Sequence, residues 1–148
     1  MKKFLTTVVA LVLCLGVFAS CGSKYNALQK AFEKEGYELN TTFTGVSETI
    51  KEELNKKEYA VELHLLTKKS NGLTSALIIE FKSTKEMVEA YEDSETMKGL
   101  IKDIKNNEDA NQVYKSLEDA GFAKGNCLVV PMSIVYVGEI TDIVKSVK

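Results

Sequence analysis

The side chains of this sequence best suited to chemistry are one histidine, one cysteine in an apolar run and a cluster of acids. His64 is the sole histidine. In an alternating strand it projects to the same side as Glu62, two residues earlier. An imidazole near a carboxylate can act as a general base or ligate a metal. The usual zinc and iron sites draw on several histidines or cysteines, and no second histidine exists to supply one. On sequence alone His64 therefore reads as a solvated or half-buried histidine. Cys127 opens the run Cys127-Leu128-Val129-Val130, where a thiol behaves as a small hydrophobe and stays inert unless a cation lies close. Lys124 is the local candidate for that cation. Among the acids Glu86, Glu89, Glu92, Asp93 and Glu95, three (Glu86, Glu89 and Asp93) share a helical face opposite Met87 and Tyr91, as a solvated outer face requires. No EF-hand spacing, Walker loop, dinucleotide fingerprint or nucleophile elbow is present. No catalytic set assembles, and neither a metal nor a cofactor is implied.

The first residues carry an address. Met1-Lys2-Lys3 leads into an apolar run from Phe4 to Phe18, followed by Ala19-Ser20-Cys21-Gly22. Two lysines, an apolar stretch and small residues have the layout of a secretory signal. The run falls short of the roughly 20 residues that span a bilayer core, and no stop-transfer pattern follows. The segment Phe18-Ala19-Ser20-Cys21 resembles the lipobox of bacterial lipoproteins, with Phe18 where an aliphatic residue is usual. The resemblance covers residues 1–22 only. It implies cleavage before Cys21, a diacylglyceryl group on the Cys21 thiol and fatty acylation of the new amino group. The protein would then be anchored by lipid on the extracytoplasmic side of the cell membrane, or of the outer membrane in a Gram-negative host. Two acyl chains anchor stably where one does not.

Composition narrows the partners. Beyond residues 1–20 the chain has 128 residues, a length suited to one domain over 25–148 with Cys21–Lys24 as a short tether. Lipidation of Cys21 leaves Cys127 with no partner for a disulfide. That portion carries 17 lysines against 21 acidic residues and no arginine. Without arginine forks or a basic run, nucleic acid is excluded as a partner, and so is a polybasic membrane-binding surface. The tether reaches at most about 14 Å, so the domain should sit close to the bilayer.

The elements follow from periodicity. A helix is expected from Tyr25 to Glu35, ended by Gly36, then a strand over 37–43 and a helix capped by Ser47. Tyr59–Leu65 and Leu77–Phe81 alternate around Asn71-Gly72, which predicts a hairpin with a type I′ turn. Ser83-Thr84-Lys85-Glu86 is a capping box opening a helix whose inward set runs on to Ile104, with Asn106-Asn107 as its break. A further helix over 109–120, a buried strand at Cys127, a short strand over 134–137 and a terminal helix complete the chain.

The expected fold is α+β: an antiparallel sheet with helices on one face, in the β-α-β-β-α-β order of ferredoxin-like folds, with extra N- and C-terminal helices. Its other, mixed face would carry His64, Leu66 and Ile78 as a candidate binding face. That face is open to an envelope protein, a small ligand, the terminal helix or a second copy in a homodimer. The function expected is a non-enzymatic binding or interaction module of the envelope. A carboxylate-based hydrolase and a structural or quality-control accessory of a secretion or cell-wall complex are the alternatives.

Overall fold

The computed structural model describes residues 24–102, 104 and 109–148. Helix α1 (Tyr25–Lys34) leads into β1 (Tyr37–Asn40), α2 (Val46–Lys56), β2 (Val61–Lys68) and β3 (Ser75–Phe81). There follow α3 (Thr84–Asp93), α4 (Glu95–Leu100), α5 (Ala110–Ala120), β4 (Ala123–Lys124) and β5 (Cys127–Pro131). A 3-10 turn (Ile134–Tyr136) and α6 (Val137–Ser146) end the chain. The strands form one antiparallel sheet in the order β1-β2-β3-β5-β4, so the fold is α+β.

Strand alternation sorts the core into two layers. Leu65, Leu77, Ile79, Phe81, Leu128 and Val130 pack on one side against Ile50 and Leu54 of α2, Met87 and Tyr91 of α3, Met97 of α4, and Val113 and Leu117 of α5. Leu66, Ala76, Ile78, Cys127 and Val129 point the other way, against Leu28 and Phe32 of α1 and Ile140, Ile143 and Val144 of α6. Because β3 lies mid-sheet between two helical layers, its residues read Ala-Leu-Ile-Ile without a polar break, as a strand buried on both faces must.

Several expectations are corrected here. The helices of the middle segment lie on one face as expected, but α1 and α6 cover the other. The chain order of elements matches the ferredoxin-like pattern, yet the spatial order does not. That fold would set its first and third strands side by side in parallel, whereas here β1 pairs antiparallel with β2. The loop of the hairpin is longer than two residues, with Lys68 N–H donating to Thr74 O and Thr74 N–H to Asn71 O. Neither Asn71 nor Gly72 takes positive φ, so the turn is not type I′. Ser47 is not the cap of α2, which Gly45 precedes; its hydroxyl donates to Thr44 O and accepts from Thr44 N–H. The long helix expected from Ser83 breaks at Ser94, whose backbone is extended and whose Oγ accepts from Met97 N–H at 3.1 Å. The break expected at Asn106-Asn107 lies outside the described residues. Residues 134–136 form a 3-10 turn rather than a strand, with Ser133 Oγ accepting from Val135 N–H.

The matching helix ends at Gly36 and Gly121 come from shared capping chemistry. Both glycines sit at positive φ (+88° and +87°), and an aromatic follows each. Tyr37 returns to Phe32 edge-on at 5.1 Å, and Phe122 N–H donates to Leu117 O. At Gly121 space is also lacking: a Cβ there would lie 2.7 Å from Thr141 O of α6. This contact joins the two helical layers beside the β4 edge.

Candidate functional site

Register decides which polar side chains meet. Glu62 on β2 stands directly opposite Glu80 on β3, and Glu80 stands opposite Cys127 on β5. Even-numbered positions of β2 and β3 point toward the α1 side of the sheet, so Glu62, His64 and Glu80 share that face. Tyr25 lies one turn before Leu28 on the buried stripe of α1, which carries its ring onto the same spot. The Tyr25 and His64 rings stack with centroids 3.6 Å apart and planes 17° apart.

Beneath that ring the three side chains converge. His64 Nε2 lies 2.9 Å from Glu80 Oε1 and 3.8 Å from Glu62 Oε1. One donor atom from each of the three residues lies within 4.8 Å of the other two. Glu80 is only 2 % exposed, whereas Glu62 and His64 keep a partly open side. Burial pushes the Glu62 carboxyl above its usual 4.5, the Glu80 charge adds to this, and His64 pulls it back. Burial, followed by the charges of Glu80 and Glu62, lifts the Tyr25 phenol to about 12, so it stays neutral at physiological pH. Two carboxylates and an imidazole so placed can share protons among themselves or converge on a cation. No protein family, curated protein or solved structure gives a match to this chain. Any functional reading therefore rests on this geometry and the sequence.

The residues singled out from sequence fare differently. Leu66 and Ile78 are 0 % exposed, packed under α1 and α6, and the proposed binding face through His64, Leu66 and Ile78 is removed. The terminal helix covers that face, with α1 beside it. Cys127 is fully buried, as an inert core thiol would be, with Sγ 3.8 Å from Asn126 Oδ1. Glu89 and Asp93 are exposed, as expected of an outer face, and so are Glu92 and Glu95, but Glu86 is half-buried with its Oε2 out of solvent. Cys21 lies outside the described residues. Among those that are described, no helix is long and apolar enough to cross a membrane.

Glu80 is the site residue that the sequence reading missed. Its signal was a lone acid inside the apolar strand Leu77-Ile78-Ile79-Glu80-Phe81, in phase with Ile78. A two-residue Asn71-Gly72 turn would instead have set Glu62 opposite Phe81, and the two acids would not have met.

Two surface features lie apart from this cluster. At the hairpin end of the sheet, Leu73, Ile134 and Val135 are 79 %, 62 % and 74 % exposed. Their two segments are held together by Asn71 Nδ2–H donating to Tyr136 Oη at 3.1 Å. Along the seam of α1 and α6 runs an open groove with Ala31 and Ile143 in its floor and charges of both signs at its rim.

Proposed function

We propose that the protein is a lipid-anchored, non-enzymatic interaction module on the extracytoplasmic side of the cell membrane. It meets a protein partner through the apolar tip formed by Leu73, Ile134 and Val135. The tip is the observation that carries this reading: large aliphatic side chains gathered at one end of a domain and left in water mark a contact surface. The anchor follows from the lipobox resemblance at Cys21. Lys24, the first described residue, packs beside Gly125, and its Nζ donates to Lys148 O at 2.9 Å. Roughly 20 Å of strand separates Gly125 from Pro131 at the tip end, against about 14 Å of tether. The tip is thus presented away from the point of anchoring.

A carboxylate hydrolase would need two acids converging where a substrate can reach them. Glu62 and Glu80 do converge, but Glu80 is buried and the Tyr25 ring lies on His64. Such closure favours an interaction role over turnover of a polymer.

The test is a photo-crosslinking residue placed in cells at Leu73, at Val135 and, as a control, at exposed Lys115 of α5. The expected result is one discrete protein adduct from both tip positions, absent from Lys115 and lost when Ile134→Asp is added. Adducts to lipid alone, or the same adducts from all three positions, would refute the reading.

A further inference from the structure

We infer that Glu62, His64 and Glu80 form a binding site for a divalent first-row transition-metal ion, with Tyr25 as its cover. Like charges directly opposite on neighbouring strands destabilise a sheet, and here one of the pair is almost wholly buried. The single imidazole lies 2.9 Å from Glu80 Oε1 and 3.8 Å from Glu62 Oε1, so at most one positive charge faces two carboxylates. A divalent cation neutralises both acids at once.

Ligands at 2.0–2.2 Å from a four-coordinate ion lie about 3.4 Å from one another. The His64–Glu80 separation of 2.9 Å is already slightly inside that spacing, and His64–Glu62 at 3.8 Å slightly outside it. A small rotation of the partly exposed Glu62 side chain completes the triangle, and water takes the open position. One nitrogen and two carboxylates suit ions such as zinc, manganese or cobalt. Calcium and magnesium favour all-oxygen ligand sets, so the imidazole nitrogen of His64 argues against both. Tyr25, stacked on the imidazole, fixes the orientation of His64 and shields the site, the part that an outer partner plays at protein metal centres.

The test uses the full-length protein in detergent, stripped with chelator and titrated with zinc chloride against a colorimetric competitor. The inference expects one ion per chain with a Kd on the order of micromolar or tighter. Because His64 is the sole histidine, its imidazole NMR signal is assigned without mutation. It should shift with zinc and broaden with one equivalent of manganese. Glu62→Gln, at the partly open position, should weaken zinc binding at least ~100-fold while the apo protein melts no lower than the parent. Glu89→Gln on the outer face of α3 should bind as the parent does. Absence of binding at about 100 µM zinc would overturn the inference. So would binding that leaves the His64 signal unmoved, or affinity unchanged in Glu62→Gln.

Discussion

Replacing Gly121 and Gly36 by alanine, one at a time, separates two costs that the structure assigns differently. Both glycines have nearly the same positive φ, so each substitution forces an L-residue into the left-handed region at roughly 1–2 kcal/mol. Alanine also restricts the unfolded chain, which returns about 0.4–1 kcal/mol. At Gly36 a Cβ meets nothing within 4 Å, so Gly36→Ala should lose only about 0.5–1 kcal/mol. At Gly121 the same Cβ meets Thr141 O at 2.7 Å and Thr141 Cβ at 2.8 Å. A backbone oxygen cannot swing aside as a side chain can, and overpacking of this kind adds a further ~1–3 kcal/mol. Gly121→Ala should therefore lose about 2–4 kcal/mol, several times the loss at Gly36. Urea denaturation followed by circular dichroism measures both. Equal losses would refute the packing of α6 against the end of α5, and with it the closure of the layer over Leu66 and Ile78.

Further expectations concern the site, the α3–α4 junction and the core thiol. The Glu62 carboxyl is raised above 4.5, so the folded state holds its proton more tightly than the unfolded chain. The stability this contributes is complete below the ordinary value and is lost as pH rises through the raised one. Without added metal, Glu62→Gln should thus match the parent near pH 4 and exceed it increasingly above about pH 5, in melts run across pH. A parent stability that instead rises with pH relative to the variant would reverse the sign of this account. Ser94 Oγ donates to Glu53 Oε2 at 2.5 Å and accepts from Met97 N–H, so Ser94→Ala removes a cap and one of the two hydroxyls, with Thr96, that donate to Glu53. It should lose about 1–3 kcal/mol in the same denaturation assay, and a neutral result would show that this junction is not held by Ser94. Cys127 should resist thiol reagents at neutral pH until the protein unfolds. Prompt labelling of the folded form would place it outside the core.

What the sequence made legible was local, and what it concealed was mostly register. The α+β class, the hairpin, the Ser83 cap and the two glycine-ended helices all rest on spacing within a dozen residues, and each is present. The Glu62–Glu80 pair depends on the true length of the loop between β2 and β3. Since side chains alternate with period two, a turn one residue off moves every partner to the opposite face. The burial of Leu66 and Ile78 depended on where α1 and α6 dock, which periodicity does not encode. The stripe on α6 (Ile140, Ile143, Val144) showed that the helix must bury a face, but not against which surface. Residues 134–136 illustrate a local cap overriding propensity. Their β-branched composition favours a strand, yet Ser133 caps them into a 3-10 turn beyond the end of β5.

The proposed lipid anchor at Cys21 would set which end of the domain faces outward. The most direct measurement is the intact mass, with N-terminal peptide fragmentation, of the protein purified from the membranes of its own host. The expected result is a chain that begins at Cys21 and carries a diacylglyceryl group on its sulfur. An unmodified chain retaining residues 1–20, or one cut elsewhere with a free Cys21 thiol, would contradict it.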